Sequence, residues 1–377
     1  MKEKLLHFGS YVLVAVLATA LTLTMVHLEI GLKPSKLDQL EELIQEKFIE
    51  DADAKMLEDA AAAAMVLSTG DRWSYYMTAE EYEAHREVAE NAYVGVGMTI
   101  QATEEGMGFL ILDVVPGGPA EEAGILPGDI LTHADGTALG ELSATEAKEM
   151  IMGEKNTTVE LTLLRGEEVL VCSVTRRTIH NKVAEGQMLT DTLGCVTIQN
   201  FHTNAGKETI GAIEALREQG AEKLIFDVRN NPGGYVHEMV EVLDYLLPEG
   251  PLFCSVDYKG NESVDASDAD CLELPMAVLI NGNTYSAAEF FAAALREYDW
   301  AVTVGEPTCG KGYYQTTIQL GDGSAVQLST GAYTTPNGVN LTEAGGLKPD
   351  VEVQPAGMVV PWREDPQILA AMEALGE

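Results

Sequence analysis

The spacing of apolar positions changes several times along this chain, and each change marks a new kind of element. Residues 11–26 are almost continuously apolar, with Lys2 and Lys4 ahead of them and His27 and Glu29 at the far end. The run is close to the roughly 20 residues that cross a bilayer, and the positive charge before it predicts one membrane-spanning helix with the remaining chain outside. A cleaved signal peptide is the alternative, since Ala18-Thr19-Ala20 resembles a cleavage site, although apolar residues continue past it. Leu37, Leu40, Leu43, Ile44 and Phe48 then recur at helical spacing and predict an amphipathic helix. Residues 52–67 predict a second, alanine-rich helix ended at Gly70. Thr78-Ala79-Glu80-Glu81 is a capping-box start for a short third.

Beyond residue 90 the period shortens. Residues 93–100, 108–115 and 129–133 read as strands, Ser143-Ala144-Thr145-Glu146 caps a helix to about Met152, and residues 158–164 and 168–175 form a hairpin about Arg165-Gly166. From residue 179 the pattern alternates strand and helix. Residues 223–229 are a buried strand, followed by Asn230-Asn231-Pro232-Gly233-Gly234 and a helix over 235–247. Residues 275–280 are a second buried strand, followed by a breaker-free helix over 287–297. A strand at 301–305 and a hairpin over 313–320 and 324–330 complete an α/β unit, with one more helix at 366–375.

The chemistry concentrates in that last unit. Ser286 stands where a buried strand turns into a helix, where the turn exposes the side chain and free helix N–H groups meet negative charge. A simple helix cap is the structural alternative. A serine hydroxyl needs a base, and no histidine occupies a comparable glycine-flanked position. Lys311, within Gly310-Lys311-Gly312, does, and a buried lysine kept neutral can serve as base. In a regular strand Gln315 shares a face with Lys311 and can hold its amine without adding charge. The N–H of Ala287 and one from Gly233 or Gly234 would form an oxyanion hole, worth roughly 3 kcal/mol per donor.

Composition narrows the class. With 377 residues the chain holds more than one core, and 23 Lys+Arg against 60 Asp+Glu give a net charge of −37. That balance argues against nucleic acid as a partner and against binding an anionic membrane through a basic patch. Five cysteines, an odd number without CxxC spacing, allow a Cys254–Cys271 pair or free thiols, and the seven histidines form no metal-ligating motif.

Two resemblances follow. Gly95-Val96-Gly97, Pro116-Gly117-Gly118-Pro119 and Ala123-Gly124-Ile125-Leu126-Pro127-Gly128-Asp129-Ile130-Leu131 resemble a PDZ domain of the bacterial protease type. This implies that Tyr93, Val94, Gly95, Val96 and Gly97 receive a peptide's C-terminal carboxylate while the peptide adds as a strand. Together with Asp71 to Tyr76, Arg229 to Gly234, Asn281 to Glu289, Gly305-Glu306, Gly310-Lys311-Gly312 and Gly346-Leu347-Lys348-Pro349-Asp350, the chain is similar to the C-terminal processing peptidases, or tail-specific proteases. The resemblance implies a Ser–Lys dyad with Ser286 as nucleophile, Lys311 as general base and Gln315 as its positioner. The implied fold class is α/β (α+β) multidomain, a crotonase-like α/β protease core with an inserted PDZ domain, an N-terminal helical segment and a single transmembrane helix. The boundaries expected are 1–31 for the cytoplasmic stub and anchor, 32–90 for the helical segment, 91–178 for the PDZ domain, 179–355 for the core and 356–377 for the tail.

Expected partners are the C-terminal tails of exported or membrane proteins, the cytoplasmic membrane and a second copy of the chain. No cofactor, metal or nucleic acid is expected. Residues 37–48 and 366–375 are the dimer contacts suggested by family likeness. Three departures stand out: Tyr285 and Ala288 replace neighbours in the usually serine-rich nucleophile run, Cys309 stands where an aromatic is usual, and Met152 replaces an arginine associated with coupling the PDZ domain to the active site. A non-catalytic PDZ scaffold and an acyltransferase or esterase using the same dyad are the other readings.

Overall fold

The computed structural model describes Thr19 and residues 34–103, 106–358 and 360–377. The apolar run at 11–26, with the anchor expected there, lies outside the described residues apart from Thr19. Among those described, no helix is long and apolar enough to cross a membrane. The chain divides into two compact units, one ending at Tyr76 and one covering Met77–Glu377. In the first, α1 (Lys36–Lys47) and α2 (Ala54–Leu67) form where the spacing predicts them. Ser35 and Asp38 make a capping box for α1, and Asp53 caps α2.

The second unit opens with α3 (Ala79–Ala89), started by the expected Thr78–Glu81 capping box. A two-stranded antiparallel ribbon, β1 (Ala92–Gly95) with β2 (Arg177–His180), frames a strand-rich segment. In order along the chain this segment holds β3 (Met98–Ala102), β4 (Phe109–Val114), β5 (Ile130–Ala134), α4 (Ala144–Ile151), β6 (Thr158–Arg165) and β7 (Glu168–Thr175). The sheet order is β3-β4-β5-β6-β7, so one edge of β3 is open. Phe109, Ile111, Leu131, Leu161, Leu163, Ala147 and Ile151 fill a core of their own, which the alternating strand pattern foreshadows.

The remaining chain builds a six-stranded sheet. Its strands in spatial order are β8 (Ala184–Met188), β9 (Leu193–Ile198), β10 (Lys223–Asp227), β13 (Met276–Ile280), β14 (Ala301–Gly305) and β17 (Val351–Glu352). All neighbours are parallel except β8 and β9. Parallel strands are covered on both faces and therefore read as continuous apolar runs. Phe226, Val278 and Ile280 pack under α5 (Ala205–Glu218), α6 (Val236–Leu246) and α7 (Ala287–Glu297). Ile225, Ala277 and Leu279 face the other way, toward Ile368 and Ala371 of α8 (Pro366–Ala374). Beside this sheet, β11 (Gly250–Asp257), β12 (Glu262–Ser267), β15 (Tyr313–Gln319) and β16 (Ala325–Thr334) pair antiparallel in the order β15-β16-β11-β12. All five cysteines are free thiols, so the Cys254–Cys271 pair does not form: Cys271 is exposed, and Cys195 alone is buried. Burial pushes the Cys195 thiol up to about 12.

Candidate active site

β10, β13 and β14 are adjacent and parallel, with Asp227 opposite Leu279 and Ile280 opposite Gly305. Their C-terminal ends therefore share one edge, the place where open α/β sheets bind ligands. The loops leaving the three strands carry Gly233-Gly234, Ser286 and Lys311. Residues far apart in sequence meet there because their strands are neighbours.

Ser286 adopts φ 59°, ψ −129°, a conformation that a residue with a side chain rarely takes. Such a residue costs about 1–3 kcal/mol and persists only where its surroundings hold it. The holding contacts are visible. Tyr285 N–H donates to the Asn231 carbonyl at 3.2 Å, Thr284 Oγ1 donates to the Val228 carbonyl at 2.8 Å, and Ser286 N–H donates to Glu289 Oε2 at 2.9 Å. Gly233, at φ +89°, lies so close that a Cβ there would come within 2.8 Å of the Ser286 Cβ. Only glycine fits.

Glu289 is the residue that the sequence pattern undervalues. Ser286-Ala287-Ala288-Glu289 reads as a capping box, and the serine N–H bond is its capping half. The same carboxylate is fully buried and also accepts from Thr308 Oγ1 at 2.5 Å, Gly310 N–H at 2.6 Å and Lys311 N–H at 2.9 Å. Burial pushes its pKa up, opposed by the bonds from Thr308, Lys311, Gly310 and Ser286. One side chain thus ties the Ser286 turn to the Lys311 loop. Lys311 itself is 9% exposed. Its carbonyl accepts a hydrogen bond from the hydroxyl of buried Tyr333, a second residue the pattern gives no reason to select. Both were unreadable because the signal is burial of a polar group, which periodicity does not encode.

The expected oxyanion donors separate. Gly233 N–H is engaged by Asn231 Oδ1 at 2.8 Å, whereas the N–H groups of Gly234 and Ala287 make no hydrogen bond among the described residues. Gly234 is held in place by the neighbouring backbone, since Phe201 N–H donates to the Gly233 carbonyl and Tyr235 N–H to the Phe201 carbonyl, at 2.8 and 2.6 Å. Gln315 departs from the regular strand expected across 311–315. β15 begins only at Tyr313, and the register shifts between Tyr314 and Gln315. The Gln315 amide nitrogen donates to the Tyr313 carbonyl at 2.9 Å and to Ser329 Oγ at 3.1 Å, so the structure pairs it with β16.

A second site is a groove of about 460 Å³ between β3 and α4, lined by Tyr93, Gly95, Val96, Gly97, Ile100 and Ile151 among others. Val96 and Gly97 are pinned from behind, their carbonyls accepting from Ala120 and Val115 N–H at 2.8 and 2.9 Å. Among the described residues, Lys148 is the one charged residue lining it. Although Met152 stands at the end of α4, a cation is present there. Buried Arg176 donates to the Ile151 and Met150 carbonyls at 2.8 and 3.3 Å, satisfying the helix C-terminus.

Comparison with known proteins agrees with this division. Residues 192–353 match peptidase family S41, and residues 110–165 match the PDZ domain. The chain is 32% identical over 367 residues to the carboxy-terminal processing protease CtpA of Bacillus subtilis (strain 168), covering 94% of this chain and 78% of that protein. It is 29% identical over 323 residues to a probable CtpA-like serine protease of Staphylococcus aureus (strain COL), covering 85% of this chain and 64% of that one. The solved photosystem II D1 C-terminal processing protease is 28% identical with a TM-score of 0.50, covering 84% of this chain and 86% of that chain. The fold and site therefore define a mixed α/β serine peptidase carrying a PDZ domain. This chain belongs to the C-terminal processing peptidase family.

Proposed function

We propose that this peptidase cuts with a Ser286–Lys311 dyad and receives the C-terminal tails of exported proteins in the groove beside Gly95-Val96-Gly97. The observation that carries the reading is the strained backbone of Ser286, walled by Gly233 and tied through Glu289 to the loop of a buried lysine. Strain held this way in a non-glycine residue serves to aim its hydroxyl. Ser286 Oγ attacks the scissile carbonyl carbon as Lys311 Nζ takes its proton. The developing oxyanion is met by the N–H groups of Ala287 and Gly234, and Lys311 returns the proton to the leaving amine. Water, deprotonated by the same lysine, then releases the acyl group and regenerates the serine. Gln315, on β15, is the proposed positioner of Lys311. The core is of the crotonase-like kind, and residues 11–26 anchor the chain with this unit outside the cytoplasmic membrane.

In the groove, a peptide's terminal carboxylate meets the backbone of the Tyr93-to-Gly97 turn, and its chain adds along the open edge of β3. The test is cleavage of an unstructured protein by the parent chain, Ser286→Ala and Lys311→Ala. Each substitution is expected to lower the rate at least 10³-fold while tail binding stays within about twofold. Cleavage that survives in Ser286→Ala or Lys311→Ala would sink the dyad. A parent chain that binds tails and cleaves nothing would establish the scaffold reading instead.

A further inference from the structure

We propose that Tyr333 is a positioning residue for the Ser286–Lys311 reaction, its hydroxyl holding the base's main chain while its ring packs against the helix that the nucleophile starts. The proposal rests on Ser286 and Lys311 being nucleophile and base. Tyr333 lies near the end of β16, opposite Ser255 of β11, and its N–H donates to the Gly312 carbonyl at 3.1 Å. Its ring meets Phe290 edge-on at 5.7 Å and Phe253 at 5.3 Å, and Phe290 belongs to the helix that Ser286 starts. At 3% exposure the ring is fixed by the core while its oxygen reaches the site. That oxygen donates to the Lys311 carbonyl.

A phenol has one proton, and here it goes to the Lys311 carbonyl. Burial, then the neighbouring Glu289, push the phenol's pKa far up, so it keeps its proton and never competes with the lysine as a base. The same oxygen restrains the main chain on which the base is carried. Nucleophile and base are thus referred to one buried residue, which matters because small misplacements of reacting groups cost orders of magnitude in rate.

Tyr333→Phe keeps the ring and removes only the hydroxyl. We expect kcat for peptide cleavage to fall roughly 10- to 100-fold with KM within about twofold, and labelling of Ser286 by a small fluorophosphonate to slow by the same factor. Parental kcat and labelling rate in a folded Tyr333→Phe chain would overturn the proposal alone, provided that Ser286→Ala and Lys311→Ala are inactive. Activity in Ser286→Ala would overturn the dyad and this proposal together. A second measurement retains the hydroxyl. With 3-fluorotyrosine at position 333, kcat is expected to stay within about threefold of the parental value, and a fall as large as that of Tyr333→Phe would overturn the role of the hydroxyl.

Discussion

The turn at Gly95-Val96-Gly97 and the loop at Gly233-Gly234 each bend through a glycine at positive φ, +78° at Gly97 and +89° at Gly233, yet they are held differently. Gly97 rests on apolar side chains, with Ile179 and Val115 on the side where a Cβ would project, and it faces an open groove along the free edge of β3. Gly233 is gripped by hydrogen bonds: its N–H by the fully buried Asn231, its carbonyl by Phe201 N–H, with Ser286 pressed against it. A site that captures many different tails needs backbone groups and adaptable apolar walls. A site that makes and breaks bonds needs its groups fixed to a fraction of an ångström, and only a buried polar network with each member satisfied provides that.

The largest effect separating the two is expected from Gly233→Ala. Its Cβ would meet the Ser286 Cβ at 2.8 Å and the Ala287 nitrogen at 2.9 Å, displacing the proposed nucleophile and oxyanion donor together. We expect kcat/KM to fall more than about 100-fold, with tail affinity measured by fluorescence anisotropy unchanged. Unimpaired cleavage would show that the Gly233 wall is not part of the machinery. The converse substitution, Gly97→Ala, places a Cβ 3.3 Å from Ile179 and Val115 at a φ that disfavours any side chain. Tail affinity is expected to drop about tenfold while fluorophosphonate labelling of Ser286 keeps its parental rate. Slower labelling in Gly97→Ala would mean that the groove and the catalytic loop are not independent.

The smallest effect concerns stability of the groove's own scaffold. Asp129 is buried and paired with Arg165 through bonds of 2.7 and 2.8 Å, and that pairing, against the opposing effect of burial, holds its pKa below the ordinary 3.8. A depressed carboxylate contributes stability that is present above its unfolded pKa and lost as pH falls through the lower folded value. Asp129→Asn is expected to cost about 2 kcal/mol at neutral pH and to shrink the loss of stability below about pH 3.8. Thermal melts of both chains across that range decide it. Identical acid sensitivity would assign the acid response to other carboxylates.

Much of the fold was legible because the core strands are buried on both faces and announce themselves as runs such as Met276 to Ile280. The helix starts at Thr78 and Ser143 were equally plain, since a capping box is a local pattern. The hairpin of β11 and β12 was not legible. β12 exposes nearly all its residues, including Glu262 and Asp265, and is a strand only because β11 pairs with it while β16 pairs with β11's other edge. Gln315 shows the opposite failure, a regular alternation assumed across a position where the register shifts.

The sequence by itself determined the elements and the chemistry-bearing residues, Ser286 after a buried strand, Lys311 between glycines, and a glycine-rich turn ahead of an open strand. These are local facts, fixed by spacing and by what each residue type can do. Only the tertiary structure decided which of them meet. The adjacency of β10, β13 and β14 brings Gly233 against Ser286, a buried carboxylate on Glu289 ties Ser286 to Lys311, and the buried Tyr333 phenol holds the Lys311 carbonyl. Strand order and the burial of polar groups arise from contacts between distant parts of the chain, so no stretch of sequence read alone contains them.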